Sequence, residues 1–164
     1  MADMDKLAVL VNTFGSSLIS VAREVGLNVT LNKGQVSQGV KVSDVCAASL
    51  IGIVGSGVQG TAVIMLTNEG FEAVIAAMSG GAINPNTNDP IAMSVVGELS
   101  NMVSGRALIQ AAIPGVDVTP PQTFAGENIH NAPTSSAGVK CFTLPFSLNP
   151  AGQLYLVLSF NAAS

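Results

Sequence analysis

Charged side chains are scarce in this chain of 164 residues. They make up 10% of the sequence, whereas hydrophobic residues make up 48%. A chain with so much apolar surface is not disordered, and its length is enough for a substantial core, so we expect a single domain over residues 1–164. The six lysine and arginine residues are scattered singly, and the net charge is −4. Without a basic stripe to follow a phosphate backbone, nucleic-acid binding is disfavoured.

Cysteine, histidine and tryptophan are also rare, with two, one and none in the chain. Cys46 and Cys141 lie in apolar, strand-like segments without a second metal-ligating side chain nearby, so we interpret them as buried free thiols of a reducing compartment. His130 lies in a loop rich in Gly, Asn, Pro and Ser, with Glu127 close in sequence but no third group to support catalysis. The acidic residues are too dispersed for a calcium or two-metal site. No metal or cofactor of the protein's own is therefore expected.

The sequence also lacks a secretory signal, because its start, MADMDKLAVL, has no basic segment followed by an apolar block. No charge occurs between Asp44 and Glu69, a stretch long enough to span a bilayer. Four glycines interrupt it, however, and no Lys or Arg cluster or interfacial aromatic flanks it. Two short buried strands joined by a glycine-rich turn fit better. We expect a cytoplasmic protein with no membrane segment.

Within that uncharged stretch, residues 51–60 read IGIVGSGVQG, a literal match to the dinucleotide-binding pattern G-x-G-x-x-G. A dinucleotide loop must leave a strand and open a helix, whose N-terminus holds the pyrophosphate. Here TAVIMLT follows, which has no helical period, and Asn68 then begins a fresh helix too soon for a crossover helix. We favour a hairpin turn, with an NAD-dependent enzyme as the weaker alternative.

The order of predicted elements is a long helix, about three strands, a short helix, a second long helix and three more strands. The second long helix begins at Asp89-Pro90, a capping residue followed by proline at the first helical position, and stops at Pro114-Gly115. This order predicts an α+β fold: one domain of two pseudo-repeated halves, with a mainly antiparallel sheet of about six strands and two long helices on one face. The predicted strands are LNVTL from Leu27, GVKV from Gly39, AASLIGIV, GTAVIML, VDVT, VKCFTLPFSL and QLYLVLSF.

The second long helix contains the segment SVVGELSNMVSGRA, residues 94–107, in which one acid and one amide stand out. Glu98 and Asn101 are three residues apart, so they lie side by side, about 4.5 Å apart along the helix axis. A solvated helix face normally carries long polar side chains, and glycine there costs about 1 kcal/mol relative to alanine. The residues placed around the pair are instead small, namely Ser94, Gly97, Ser104 and Gly105. They predict either a low surface that a bulky partner can approach or close packing on a neighbouring helix.

The same segment resembles the signature helix of the CheC/CheX/FliY family of chemotaxis phosphatases, in which E-x-x-N lies within GE-x-x-N-x-x-x-G. Here the signature runs from Gly97 to Gly105. The string VTPPQTFAGENI resembles the strand and Pro-Pro-x-x-x-x-Gly segment that follow in the family, and VNTFGSSLISVAREV resembles its first helix. In its length and its single motif the chain is similar to the CheX branch.

The resemblance implies that the protein hydrolyses the aspartyl-phosphate of a CheY-type receiver domain. Asn101 would orient the attacking water, and Glu98 would dock the partner by pairing with its lysine. Ser94, Gly97, Ser104 and Gly105 would contact the same partner. The receiver would supply Mg²⁺, and a homodimer joined through sheet edges is implied as well. A module that binds or sequesters a phosphorylated receiver without catalysis is the alternative.

Overall fold

Two long hairpins form the middle of the sheet, and short strands lie on both of their outer sides. The computed structural model describes residues 2–127, 129 and 139–162, with side chains described from residue 6 to residue 161 of that part. The helices of the described part are α1 (Ala2–Glu24), α2 (Asn68–Ser79) and α3 (Pro90–Ala111). Its strands are β1 (Val29–Leu31), β2 (Ser37–Gln38), β3 (Val45–Gly55), β4 (Val58–Thr67), β5 (Asp117–Val118), β6 (Gln122–Ala125), β7 (Val139–Leu148) and β8 (Gln153–Ala162).

All the strand pairs are antiparallel and belong to one sheet, in the order β1-β7-β8-β4-β3-β5. The β3–β4 and β7–β8 hairpins meet along β4 and β8. The short strands exchange between the halves, because β1 and β2 from the first half pair with β7, whereas β5 and β6 from the second half pair with β3. This exchange confirms the predicted α+β fold. The described part of the chain has eight strands rather than about six, because short edge strands such as β2 and β6 have weak local patterns.

The glycine-rich motif is a hairpin turn. Ser56 and Gly57 connect β3 to β4 with φ angles of 51° and 76°, and positive φ at both central residues is the geometry of the tight turn that matches strand twist. A Cβ atom at Gly55 would collide with the carbonyl oxygen of Gly115, so the turn also packs closely on the loop after α3. The dinucleotide interpretation is therefore wrong, since a strand and not a helix follows the motif.

Helices α1 and α3 pack on the same face of the sheet, as predicted. Phe14 of α1 and Leu99 of α3 are fully buried in one apolar cluster together with Ile53, Ile64 and Leu156 of the sheet. The last residue of α1 is joined to α3 by an ion pair in which Arg106 Nη2 lies 2.6 Å from Glu24 Oε1. Of the helices in the described part of the chain, none is long and apolar enough to cross a membrane.

The opposite face of the sheet is covered by an extended segment rather than by helices. Alternate strand residues point to this face, where Ala48, Met65 and Val157 form a second apolar cluster with Val40 and Val42 packed against it. The predicted strand at GVKV is wrong, because residues 39–42 belong to this extended segment and do not form a strand. The backbone at Gly39 and Lys41 is satisfied by the Thr143 hydroxyl, which donates to Gly39 O and accepts from Lys41 N, and the strand lies just before, at residues 37–38.

Both ends of α3 are set by local backbone and side-chain interactions. Asp89 caps the helix, its Oδ1 accepting from Ile91 N at 2.9 Å, and Pro90 is the first helical residue, as predicted. The helix ends at Ala111, three residues before Pro114, because Ala112 adopts a left-handed conformation with φ of 51°. Helix α2 likewise ends at a left-handed residue, Gly80.

Candidate functional site

One face of α3 is exposed along nearly the whole helix. Between residues 91 and 109, its exposed positions fall within an arc of about 80° at 100° per residue. We call these six residues the α3 stripe: Ile91, Ser94, Glu98, Asn101, Gly105 and Ile109. The buried positions of the same helix run from Ala92 to Ala107 and cover an arc of about 160°. The stripe is therefore a narrow outward-facing ridge, and the buried residues of α3 attach the helix to the core.

Glu98 and Asn101 project from the middle of the stripe, as predicted. Both residues are exposed, whereas their neighbours Leu99 and Val103 are almost completely buried. Among the described residues, no ion pair involves Glu98 and no hydrogen bond involves the Asn101 side chain. A carboxylate that can accept and an amide that can both donate and accept are thus available to a partner.

Two of the four small residues predicted to surround the pair are on this surface. Gly105 is exposed, and a Cβ atom placed on it would meet no other atom within 4 Å. Packing does not require glycine there, although glycine weakens a helix interior by about 1 kcal/mol relative to alanine. Ser94 is also exposed, and its hydroxyl donates to Ile91 O at 2.6 Å, so it stays folded down against its own helix.

The prediction that Gly97 and Ser104 belong to this surface is wrong. Gly97 is buried, and a Cβ atom on it would lie 3.4 Å from Thr123 Cγ2 and 3.5 Å from Pro121 Cγ. Ser104 is 1% exposed, and its hydroxyl donates to Ser100 O at 2.8 Å. Helix α3 is covered by the β6 segment as well as by α1 and the sheet, so its buried arc is wider than that of a helix packed on one side.

Helix α1 is the counterpart of α3 in the first half, and it does not repeat the acid–amide pair. Aligning Gly15 with Gly97, both buried helical glycines, places Ser16 at the position of Glu98 and Ile19 at that of Asn101. Ser16 is exposed like Glu98, but its hydroxyl lies 3.4 Å from Gln110 Oε1 of α3. The pair on α3 is therefore not duplicated by the pseudo-repeat.

Both cysteines of the chain are free thiols. Burial raises the pKa of the Cys46 thiol, and the Glu69 and Glu72 carboxylates raise it further. Cys46 therefore stays protonated, with the properties of a core residue and not of a nucleophile. Cys141 is a free, partly buried thiol.

Metal-ligating side chains are dispersed in the described part of the chain. Within residues 2–127, 129 and 139–162, no three His, Cys, Asp or Glu side chains converge in a way that could hold a metal ion. Glu127 is exposed and lines an open polar cleft together with Asp44 and Asn88. His130, and with it much of the loop from Pro120 to Gly138, lies outside the described residues.

The fold defines a class of protein. The chain superposes on the crystal structure of a CheC-like superfamily protein from Shewanella sp. PV-4 with a TM-score of 0.74 and 25% identity, over 93% of this chain and 97% of that one. Two interleaved halves in one antiparallel sheet, with two long helices on one face, are thus the arrangement of a CheC-like protein.

The family is narrower than the class. The family model described as chemotaxis phosphatase CheX matches residues 47–147. The CheY-P phosphatase CheX of Thermotoga maritima is 30% identical over 123 residues, which are 73% of this chain and 77% of that protein. This chain therefore belongs to the CheX family of chemotaxis phosphatases, and the resemblance read from the sequence is confirmed.

A solved complex belongs to the same structural group. The crystal structure of the CheX-CheY-BeF3-Mg²⁺ complex from Borrelia burgdorferi matches this chain with a TM-score of 0.69 and 20% identity, over 92% of this chain and 97% of that one. At that level of identity the match shows the shared fold.

Proposed function

We propose that this protein hydrolyses the aspartyl-phosphate of a CheY-type receiver domain, with Asn101 orienting the attacking water and Glu98 docking the partner. The observation that carries the proposal is the exposed, unpaired Glu98–Asn101 pair at the centre of the α3 stripe in a chain of the CheX family. The relative from Thermotoga maritima is named a CheY-P phosphatase, and the complex from Borrelia burgdorferi contains CheY.

The chemistry asks little of this chain beyond positioning. In an acyl phosphate the leaving group is already a carboxylate, so water forms the new P–O bond while the P–O bond to the aspartyl oxygen breaks. Catalysis of phosphoryl transfer is largely alignment and stabilisation of charge on the phosphoryl oxygens. The Asn101 amide can accept a hydrogen bond from the water through its oxygen and donate to a phosphoryl oxygen through its nitrogen. Mg²⁺ would be supplied by the receiver.

Glu98 supports docking through its charge. Its carboxylate is exposed and unpaired within the described part of the chain, so it is free to pair with a lysine of the receiver. When an ion pair becomes buried in an interface, removing one partner leaves the other charge unsatisfied and costs about 2–5 kcal/mol of binding free energy. Glu98 therefore contributes to affinity and register, and Asn101 to the chemical step.

The decisive variant is Asn101→Ala. We expect it to abolish dephosphorylation of the receiver while its circular dichroism spectrum and melting temperature stay those of the wild type, because residue 101 is exposed. The matched control is Asn12→Ala, which removes an exposed asparagine from α1 and leaves turnover unchanged. Near-normal turnover by Asn101→Ala would contradict the assignment.

The alternative, a binding module without catalysis, gives a different result with the wild-type protein. Phosphate release from a phosphorylated receiver is followed with the protein present in substoichiometric amounts. An enzyme releases phosphate over many turnovers. A binder that only sequesters the receiver gives no release above the receiver's own rate, and its effect saturates at one equivalent.

We also propose that the protein forms a homodimer through a sheet edge, with β6 as the edge. All four residues of β6 are exposed, including Phe124 at 46%. Because Gly126 N donates to Cys46 O on β3, the alternation of the ladder directs the N–H groups of Thr123 and Ala125 outward. Ala125→Pro removes one outward donor without touching the β3 ladder. We expect this variant to be monomeric by sedimentation, and an unchanged mass would contradict the proposed edge.

A further inference from the structure

The two ends of the α3 stripe carry large apolar side chains. Ile91 is 63% exposed and Ile109 is 80% exposed, more than any other large hydrophobic residue in the described part of the chain. Neither of them belongs to either apolar cluster. One exposed isoleucine is ordinary on a protein surface, but these two lie at the same azimuth of one helix.

Their spacing brackets the acid–amide pair. At 1.5 Å per residue, Ile91 precedes Glu98 by about 10 Å and Ile109 follows Asn101 by about 12 Å. The positions between them include Ser94, with its hydroxyl folded down, and Gly105, with no side chain. The profile of the stripe is therefore high at both ends and low around the pair, over a length of about 27 Å.

We propose that Ile91 and Ile109 are apolar anchors for the same receiver domain whose phosphorylated site meets Glu98 and Asn101. The inference rests on the proposed function and deepens it. It assigns the receiver an apolar contact on each side of its phosphoaspartate. Continuity favours this occupant, because a domain of about 100 residues has a radius of gyration of about 13 Å, so a receiver centred on the pair is wide enough to cover both ends of the ridge. A lipid surface is disfavoured, because the stripe carries an acid and no basic residue.

The anchors act on affinity and not on chemistry. They lie about two helical turns or more from the pair, so they touch neither the water nor the phosphoryl group. Truncating an apolar side chain that becomes buried at an interface weakens binding about tenfold or more. Loss of contacts made equally in the ground state and the transition state raises KM and leaves kcat unchanged.

The test measures kcat and KM for Ile91→Ser, Ile109→Ser and the double variant, on a panel of phosphorylated CheY-type receivers encoded with this protein. We expect KM to rise about tenfold for each single substitution, with kcat unchanged. Val9→Ser is the matched control, because Val9 is an exposed apolar residue of α1 at 40% exposure, and we expect it to change neither constant.

The outcomes separate this proposal from the proposed function. Unchanged KM in both variants, with an active wild type, overturns the anchors and leaves the phosphatase assignment standing. Loss of self-association by sedimentation, without a change in KM, overturns them too and assigns the two isoleucines to a second copy of the chain. If the wild type binds beryllofluoride-loaded receiver without turnover, the phosphatase assignment fails. The anchors are then tested by the Kd of the same variants: a higher Kd supports them, and an unchanged Kd overturns them. A wild type that neither turns over nor binds any receiver overturns both.

Discussion

Gly105 offers a perturbation in which stability and activity should change in opposite directions. It lies in the interior of α3, is exposed, and has open space where a Cβ atom would be. Replacing an unconstrained helical glycine with alanine removes backbone entropy from the unfolded chain, so Gly105→Ala should raise the free energy of unfolding by about 0.5–1 kcal/mol. For a chain of this size that corresponds to an increase in Tm of about 1–4 °C.

A larger side chain at the same position tests the docking surface. Leucine has nearly the helix propensity of alanine, so Gly105→Leu should be at least as stable as the wild type. Its side chain would, however, stand about one turn from Asn101 on the low part of the stripe and keep the receiver away. A displacement of about 1 Å from a productive geometry can reduce the rate about 100-fold, and we expect a loss of kcat/KM of that order.

Chemical denaturation and steady-state phosphate release measure the two effects on the same samples. Gly97→Leu is the matched control, because Gly97 lies against Pro121 and Thr123 and a leucine there overpacks the helix, which should cost about 1–3 kcal/mol of stability. If Gly105→Leu keeps the kcat/KM of the wild type, the stripe is not the docking surface. If Gly105→Ala destabilises the protein, residue 105 does not have open space for a Cβ atom.

Two further predictions concern one carboxylate and one thiol. Glu98→Gln should raise KM for the phosphorylated receiver about tenfold or more, with a smaller effect on kcat. It should also weaken the dependence of KM on salt concentration, because the ion pair that salt screens is no longer formed. An unchanged KM in steady-state assays would refute the docking role. Burial raises the pKa of Cys46 above its ordinary value of 9.0, so the thiol contributes stability below that pH and this is lost as pH rises above it. Urea unfolding at pH 8 and pH 10 should show a drop that Cys46→Ala reduces, and an equal drop in that variant would show that Cys46 is not responsible.

Several features of this protein follow from short stretches of sequence, because the interactions that fix them are local. The Asp89-Pro90 start of α3 depends on a side chain and backbone groups within one turn. The hairpin turn at Ser56-Gly57 could be predicted because the segment after Gly60 has the pattern of a strand and not of a helix. The side-by-side placement of Glu98 and Asn101 follows from the helical period alone.

The tertiary structure decided how much of α3 is covered. Helical geometry gives the azimuth of each residue, but not the number of neighbours around the helix. The packing of Pro121 and Thr123 on Gly97 buries one side of the predicted surface, and Ser104 is buried beside Phe14, Ile51 and Leu156. These contacts join residues more than 20 positions apart, so no local pattern could show them. Between residues 91 and 109, what remains exposed is the narrow stripe with an isoleucine at each end.

The exchange of edge strands between the two halves was decided in the same way. The sequence by itself determined two helix-and-hairpin halves, because apolar periodicity and turn residues specify each element. It did not determine that β1 and β2 pair with β7 while β5 and β6 pair with β3, since pairing partners are chosen by which faces bury the most apolar surface in the assembled sheet. That choice brings β6 against α3 and so decides which residues of the signature helix a partner can reach.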